Sequence, residues 1–327
     1  MKILAVDDDV LILELLPTIL AKAGFADVSL ARSGETALEL IETAAPAFDC
    51  LMLDIQMPGM DGIELCARIR QMPAHRKTPI IMLTSMTDRD SIDRAFAAGA
   101  TDYVTKPLDT LELRARIGIA EELVTARREA AGISPAPQTG SHPNLDADAS
   151  AISQAEQISG VRELIDNLSL TNYLKQLARA GLLGSQVIVI KVDNIERIHA
   201  RASNDEFTRV LTEVAEAISN TLGAQGFLMA DAGNGLFVCA SSSPDLLVPE
   251  GLETAIQSLL DESDAAYGDG TPIDIEVSVG KSVRPATSTS NDVDKVLDRA
   301  VASAENRFQQ KKNTPRQPTI RRMAGPH

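Results

Sequence analysis

The sequence predicts two domains of different fold, an α/β domain with a parallel sheet followed by an α+β domain with an antiparallel sheet. Before residue 124, five short apolar runs alternate with segments whose apolar residues recur at helical spacing. After residue 185, strand and helix patterns follow the order βαββαβ. The chain has 327 residues, which is enough for two domains that each bury a core.

The strands predicted in the first domain are, in chain order, "KILAVD", "ADVSLA", "FDCLMLD", "PIIMLT" and "TDYVTK". Helical patterns lie between them, for example from Val10 to Ala23 with Gly24 as the stop. Five strand-helix units imply a parallel sheet that is covered on both faces. Ligands of such sheets bind at the carboxyl ends of the strands. We expect this domain over residues 1–123 and its site at that edge.

Five polar residues stand at those strand ends: Asp7, Asp8, Asp54, Thr84 and Lys106. Three carboxylates at one edge need a cation or an open cleft to stay ionised, and Mg²⁺ prefers carboxylate oxygens. A carboxylate beside such an ion can attack a phosphoryl group, and Asp54 is the best candidate nucleophile. The Thr84 hydroxyl and the Lys106 ammonium would then bind the phosphoryl oxygens.

The motifs "VDDD", "LMLDIQMPGMDG", "IIMLTS" and "AGATDYVTKPLD" resemble, in order, those of response regulator receiver domains, which have a flavodoxin-like (βα)5 fold. The resemblance implies that Asp54 accepts a phosphoryl group from a histidine kinase or phosphotransfer protein. It implies that Mg²⁺ is held by Asp7, Asp8, Asp54 and the backbone of Gln56. Thr84 and Lys106 would contact the phosphate, and Tyr103 resembles the aromatic switch residue that turns inward when Thr84 moves.

The segment "LDTLELRARIGIAEELVTARREA" carries an apolar seam at helical spacing through Leu113, Ile117, Ala120 and Val124. Its first half is expected to pack on the sheet, and its second half predicts either a stalk or a second packing surface. Residues 131–154 are rich in Pro, Ser, Asp and Ala and predict a flexible linker. We place the helical extension and the linker together at 124–160.

An amphipathic helix over about 155–180 opens the second domain, which we place at 161–310. The elements that follow are strand "QVIVIKVD", a helix over 205–222, strands "GFLMA" and "LFVCA", a helix over 251–262, strand "IDIEVSVG" and a helix over 292–308. This order predicts an antiparallel sheet with helices on one face. The central hairpin would then lie in the middle of the open face.

The motifs "VIVIKVDNIERIHA", "TRVLTEVAEAIS", "AGNGLFV", "IEVSVGKSV" and "DVDKVLDRAVASAENR" are similar, in order and spacing, to the GGDEF domains of diguanylate cyclases, which implies a ferredoxin-like fold. The chemical positions differ. Lys191 stands where the family has a metal-binding Asp, and His199 and Thr208 stand where Asn and Asp recognise guanine. The signature itself is replaced by Ala232, Gly233, Asn234, Gly235 and Leu236.

These replacements predict a degenerate, non-catalytic domain, because cyclisation of GTP needs metal ions held by carboxylates. The product-inhibition motif Arg-x-x-Asp is also replaced, by residues 223–226. Asn234-Gly235 is instead the favoured pair for a tight hairpin turn, in which both residues need positive φ. The turn is kept and the chemistry of the family is missing.

The charge and the cysteine content of the sequence indicate which partners and which cellular compartment to expect. A formal net charge of −15 opposes a general affinity for nucleic acid or anionic membranes. Residues 311–327 are basic, in contrast to the rest of the chain, and predict a disordered tail. Cys50, Cys66 and Cys239 lie in apolar stretches and predict reduced core thiols. With no signal peptide or membrane-spanning run in the sequence, we expect a cytoplasmic protein.

The expected function is that of a phosphorelay response regulator whose inactive GGDEF-like domain signals through contacts with an unknown downstream protein. Three alternatives remain open: a non-catalytic sensor of a guanine nucleotide or cyclic di-GMP, an active diguanylate cyclase, and a phosphate shuttle or sink. We also expect a homodimer through the receiver. Its register would be set by Asp102, Glu112, Arg114 and Arg116 and its attraction supplied by the seam through Leu113, Ile117 and Val124.

Overall fold

The protein is described by a computed structural model, which covers residues 1–85, 89–130, 158, 160–179, 186–223, 226–241, 251–284 and 292–313. The predicted linker over 131–154 lies outside these residues. Among the described residues, no helix combines the length and apolar character needed to cross a membrane. The three cysteines are buried and unpaired, as expected, and burial raises the pKa of the Cys50 thiol to about 12.

The first domain has the predicted parallel sheet, with strand order β2-β1-β3-β4-β5. Its strands are β1 (Ile3–Val6), β2 (Val28–Ala31), β3 (Cys50–Asp54), β4 (Ile80–Thr84) and β5 (Asp102–Thr105). Its helices are α1 (Val10–Ala23), α2 (Gly34–Thr43), α3 (Gly62–Gln71), α4 (Arg89–Ala97) and α5 (Thr110–Ala130), with a short 3₁₀ turn at Pro73–His75. All five predicted strands are confirmed, and the sheet has the flavodoxin-like α/β arrangement.

Local sequence signals fix the elements around the strand ends. Asp9 begins α1 because its carboxylate accepts from the Leu11 N–H, and Gly24 ends it at a φ of 104°. Gly62 begins α3 where a Cβ atom would lie 2.1 Å from the carbonyl oxygen of Asp54. Only glycine lets this helix start so close to the end of β3.

The second domain has a four-stranded antiparallel sheet in the order β7-β8-β6-β9. Its strands are β6 (Gln186–Val192), β7 (Phe227–Asp231), β8 (Leu236–Ser241) and β9 (Val277–Val279). Its helices are α6 (Asn167–Arg179), α7 (Ile195–Arg201), α8 (Asn204–Leu222), α9 (Leu252–Asp261) and α10 (Asp292–Asn313). The predicted order of strands and helices is confirmed, and the short helix α7 is an addition to it.

Two helix boundaries differ from the prediction. Helix α6 begins at Asn167, and the described residues before it, 158 and 160–166, are not helical. Asp166 fixes the first turn because its carboxylate accepts from the Ser169 N–H and from the Ser169 hydroxyl. Helix α10 continues to Asn313, so Lys311 and Lys312 are helical and do not belong to a tail.

The prediction that helices cover one face of this sheet is wrong, because helices cover both. Alternate residues of β6 and β8 pack with α8 and α9 on one side and with α6 and α10 on the other. The hairpin strands therefore have no open face. The physical reason is visible in the run "QVIVIKV", which is apolar at consecutive positions and not at alternating ones.

The two domains share one hydrophobic cluster. It joins Phe96 and Tyr103 of the first domain to Tyr173 of α6 and to Leu228 and Val238 of the second sheet. Helix α6 thus lies between the α4–β5 side of the first domain and the second sheet.

Candidate functional site

The carboxyl ends of β1, β3 and β5 bring the predicted acidic residues and lysine together. Ligand atoms of Asp7, Asp8 and Asp54 all lie within 4.8 Å of one another. Lys106 Nζ lies 2.7 Å from Asp7 Oδ2 and 2.7 Å from Asp54 Oδ1. The parallel sheet creates this meeting point because all its strands end at the same edge.

Burial and the lysine act in opposite directions on Asp54. The residue is 4% exposed, and burial raises the pKa of its carboxyl to about 6, while Lys106 lowers it and the neighbouring carboxylates raise it. For Lys106, burial alone would lower the pKa, but hydrogen bonds and charges of Asp54 and Asp7 raise it. The Lys106 ammonium is therefore the counterion of the Asp54 carboxylate and offsets part of the effect of burial on its pKa.

The donor set fits a magnesium ion. Three carboxylates within reach of one point supply the hard oxygen ligands that Mg²⁺ takes, and the site is open enough on the Asp8 side for the ion to keep waters. Gln56 stands at the same edge, where its side-chain carbonyl accepts from the Ser85 hydroxyl at 2.9 Å. Asp7, Asp8 and Asp54 are the side chains that would hold the ion.

Thr84 and Tyr103 lie on the two neighbouring strands, both buried. Thr84 ends β4, is 1% exposed, and its carbonyl accepts from the Lys106 N–H at 2.7 Å. Tyr103 is 6% exposed and its ring meets Phe96 edge-on at 6.3 Å between centroids. Its carbonyl accepts from Gln176 of α6. The predicted switch residue is thus covered by the second domain.

The β7–β8 hairpin has the predicted turn. Asn234 and Gly235 have φ values of 53° and 71°, and the Leu236 N–H donates to the Gly233 carbonyl. At Gly235 a Cβ atom would lie 2.9 Å from Ile195 Cγ1 and 3.2 Å from Val192 Cβ. This position, where the resembled family has Glu, cannot take a side chain without displacing Ile195.

Cations of the chain itself face the carboxylates next to that hairpin. Lys311 Nζ lies 3.1 Å from Asp193 Oδ2 and 2.7 Å from the Val277 carbonyl oxygen. Lys191 Nζ lies over the Phe308 ring, 5.6 Å from its centroid. These two ammonium groups, one from β6 and one from α10, place positive charge beside the turn.

A second cation of α10 is paired in the same region. Arg307 forms a bidentate ion pair with Glu253 of α9. Its Nε donates to Glu253 Oε2 at 3.0 Å and its Nη2 donates to Glu253 Oε1 at 2.7 Å. This pair and the Lys311–Asp193 pair were not found from the sequence. Asp193 directly follows strand β6. A polar residue at a strand end is the same signal that located the site residues of the first domain.

The two positions aligned with guanine recognition are engaged locally. His199 packs edge-on against Phe207 at 4.7 Å between ring centroids. The Thr208 carbonyl accepts from the Thr212 hydroxyl within α8. His199 thus belongs to the packing of α7 against the start of α8.

Four of the residues predicted for the dimer face, Asp102, Leu113, Arg116 and Ile117, are buried within the chain, so their assignment to an exposed surface is wrong. Arg116 Nη1 pairs with Asp102 Oδ2 of the same chain at 2.9 Å, and both residues are buried. Leu113 and Ile117 are 0% exposed and pack into the core of their own domain. The reason is that one turn of α5 lies directly over β5, so these side chains have intramolecular partners.

Comparison with known proteins identifies the first domain. Residues 3–118 match the family model described as response regulator receiver domain. This part of the chain is therefore the receiver domain of a two-component response regulator. The match ends before the second domain begins.

Individual relatives agree with this assignment. The phosphate regulon transcriptional regulatory protein PhoB of Rhizobium meliloti is 41% identical over 116 residues, 36% of this chain and 50% of the relative. Response regulator PleD of Caulobacter vibrioides is 36% identical over 116 residues, 36% of this chain and 25% of the relative. This chain thus spans half or less of the length of these curated relatives.

Among solved structures, chemotaxis protein CheY4 of Vibrio cholerae is 33% identical to this chain. The match covers 36% of this chain and 97% of the CheY4 chain, with a TM-score of 0.34. The similarity is confined to about one third of the present chain.

Proposed function

We propose that this protein is a response regulator that accepts a phosphoryl group on Asp54 from a histidine kinase or phosphotransfer protein and signals through a second domain that has no catalytic activity. The observation that carries the first half is the contact of Lys106 with both Asp7 and Asp54 at 2.7 Å, beside the third carboxylate. The name of PleD, a response regulator, supports the same class.

The receiver residues have separate tasks in the transfer. A carboxylate oxygen of Asp54 attacks phosphorus, an O–P bond forms, and the N–P bond of the donor phosphohistidine breaks with its electron pair returning to the imidazole. Lys106 and the Thr84 hydroxyl stabilise the negative charge on the transferred oxygens. Bound magnesium would supply further neutralisation of that charge from its place among Asp7, Asp8 and Asp54.

The second half of the proposal rests on charge and steric fit at the β7–β8 hairpin. Binding a triphosphate with metal ions there would require carboxylates that point at the metal, yet Lys191 occupies the aligned position and Lys311 holds Asp193. Gly235 has no room for a side chain. We therefore infer that the domain resembles a GGDEF domain in fold and acts through protein contacts.

Two assays test the proposal together. Purified protein with magnesium and radiolabelled acetyl phosphate should take up label at Asp54, and Asp54→Asn should take up none, because the carboxamide cannot form the acyl phosphate. Calorimetry with GTP and with cyclic di-GMP should give no heat of binding. Equal labelling of the Asn variant would refute the acceptor role, and saturable binding of either nucleotide would favour a ligand sensor.

A further inference from the structure

A cavity of about 220 Å³ lies between the receiver and the segment that precedes α6. Lys77 and Thr101, which shortly precede β4 and β5, both line this cavity, so it lies at the amino ends of these strands. Asp54 ends β3, and a strand of five residues at about 3.3 Å per residue sets the two ends of the sheet roughly 15 Å apart. The cavity is therefore distinct from the carboxylate site.

Positive charge dominates around this space, which we call the basic cavity. Among the described residues that line it, the cations are Arg70, Arg76, Lys77 and Arg127, and the acid is Asp166. Both oxygens of the Asp166 carboxylate accept from Ser169 at the start of α6. The whole chain has a formal net charge of −15, so this concentration of cations is a local feature.

Arg70 is held in place by backbone oxygens. Its Nε donates to the Gly99 carbonyl at 2.9 Å. Its Nη1 donates to the His75 carbonyl at 3.0 Å and to the Thr78 carbonyl at 2.7 Å. These bonds fix the plane of a half-buried guanidinium without neutralising its charge. A side chain that is already fixed loses little further freedom when it binds a ligand.

The other cations converge on the same short segment, residues 75–78. Arg127 of α5 donates from its Nη1 to the Lys77 carbonyl. Arg76 and Lys77 belong to the segment themselves and line the cavity. Guanidinium groups from α3 and α5 thus meet at a segment that adds two further cations.

The charge of Arg70 is not balanced by a carboxylate. Burial lowers the pKa of its guanidinium and the like charge of Arg127 lowers it further, whereas Asp166 raises it. The group stays protonated, because the pKa of arginine lies above about 12. Within the described ranges, neither Arg70 nor Arg76 forms an ion pair. A bound anion would relieve the repulsion between the cations.

A phosphate group matches this arrangement better than a carboxylate does. At neutral pH a phosphate monoester carries close to two negative charges and has three acceptor oxygens. Guanidinium groups present parallel N–H donors that phosphate oxygens accept in pairs, and lysine adds a compact charge. A carboxylate offers one charge and two oxygens, so it would leave more of the positive charge unbalanced.

The remaining walls define the size and character of the ligand. Leu123 of α5 and Leu164 and Ile165 of the segment before α6 line the cavity and give it an apolar side. At about 220 Å³ the cavity is smaller than the roughly 300–1,000 Å³ that is typical of pockets for drug-sized ligands. A phosphate group with a few carbon atoms fits, and a nucleoside triphosphate or a dinucleotide is too large.

We propose that the basic cavity is a binding site for a small organic phosphate monoester, with the phosphate group held by Arg70 and Arg76 and the carbon part packed against Leu164 and Ile165. The site needs neither magnesium nor a phosphoryl group on Asp54. Its occupancy would follow the concentration of a metabolite, which is an input separate from phosphoryl transfer to Asp54.

Calorimetry on the chain of 327 residues tests the proposal, with EDTA present to keep metal ions from the carboxylate site. Inorganic phosphate and glycerol 3-phosphate are the probes, and acetate and glycerol are the comparison ligands. We expect saturable binding of one molecule of either phosphate compound and none of acetate or glycerol. Arg76→Ala should weaken the binding about tenfold, which is the loss of one charge-assisted hydrogen bond.

The matched control is Arg68→Ala, which removes the same charge from an exposed side chain. Arg68 pairs with Glu64 on α3 and does not line the cavity, so this variant should keep the wild-type affinity. Hydrogen exchange followed by mass spectrometry locates the ligand. Saturating glycerol 3-phosphate should slow exchange in the peptides that cover residues 70–78 and leave those that cover β3 unchanged.

The outcomes are decisive because no phosphoryl donor is present and the result does not depend on Asp54. Equal weakening by Arg76→Ala and Arg68→Ala would show a general attraction by charge and overturn the site. The absence of binding at millimolar concentrations of both phosphate compounds would overturn it as well. A phosphoserine peptide that binds where glycerol 3-phosphate does not would refute the assignment of a small-molecule ligand.

Discussion

Asp231 shows how a single buried acid near the hairpin shapes stability. It ends β7, is 2% exposed, and its Oδ1 accepts from the Gly233 N–H at 2.8 Å. Burial raises the pKa of its carboxyl from 3.8 to about 6, and the hydrogen bond from Gly233 lowers it in part. The folded chain therefore holds this proton more tightly than the unfolded chain. Its contribution to stability is fully present below pH 4 or so and is lost as the pH rises through about 6.

Substituting Asp231→Asn removes this titration while keeping an oxygen for the Gly233 N–H. We expect the free energy of unfolding of the variant, relative to the wild type, to rise by about 1 kcal/mol between pH 5.5 and pH 8. Urea denaturation at the two pH values measures the difference. The exposed Asp274→Asn is the control and should show no such change. A relative stability of Asp231→Asn that is constant with pH would contradict the account.

Gly235 carries a second prediction at this scale. Its φ of 71° and the 2.9 Å approach to Ile195 mean that Gly235→Ala should lower the free energy of unfolding by about 1–3 kcal/mol. Asn234→Gly, at a neighbouring turn position with positive φ, should cost less than about 1 kcal/mol. Thermal unfolding of both variants checks the prediction. If Gly235→Ala were as stable as Asn234→Gly, the turn would tolerate a side chain at position 235. The Glu that the resembled family has at this position could then be restored.

At the scale of elements, local patterns predicted the strands well because each is a continuous apolar run bounded by polar residues. The same runs contained a signal that was not used. The sequence "QVIVIKV" is apolar on both faces of its strand, and the structure covers both. The contact between α6 and β5 had no such signal. Asn172 and Gln176 are polar residues in an amphipathic helix, and only the fold reveals that their partners are some 70 residues away.

The buried pair between β5 and α5 gives a prediction for these elements. Burial raises the pKa of the Asp102 carboxyl, whereas Arg116 and Gln176 lower it. Arg116→Ala leaves that carboxylate without its main counterion, and we expect a loss of about 3–5 kcal/mol in the free energy of unfolding. Adding Asp102→Asn should restore part of the loss.

Urea denaturation distinguishes the outcomes for this pair. The control Arg114→Ala, on the exposed side of α5, should change stability by less than about 0.5 kcal/mol. A double variant that is as unstable as Arg116→Ala alone would show that the pair acts through packing and not through charge.

For the whole molecule, the sequence predicted the receiver's site because its residues stand at strand ends that a parallel sheet must bring together. Asp7, Asp54 and Lys106 lie where this argument places them. The assignment of Asp102 and Arg116 to an exposed dimer face was wrong at this scale, since the two are buried and pair with each other, whereas the homodimer itself stays a prediction. The charges around the second hairpin also depend on the fold, because Lys311 reaches Asp193 from 118 residues further along the chain.

The absence of cyclase activity is a prediction for the intact chain. With GTP and magnesium or manganese, the wild type should form no cyclic di-GMP above a buffer control, with or without phosphorylation. Lys191→Asp combined with Asn234→Asp should also form none, because Lys311 still holds Asp193 and His199 and Thr208 do not offer the guanine contacts. Chromatography of the reaction products decides. Dinucleotide formed by the wild type would refute the non-catalytic assignment.

The most direct test of the account is to locate the phosphoryl group on the chain of 327 residues. The protein is incubated with acetyl phosphate and magnesium, digested, and sequenced by tandem mass spectrometry. We predict one phosphoryl group, on Asp54, and its loss when magnesium is removed by a chelator before the reaction. A phosphoryl group on another residue, or an unmodified chain under conditions that label a control receiver, would contradict the assignment of Asp54 as the acceptor.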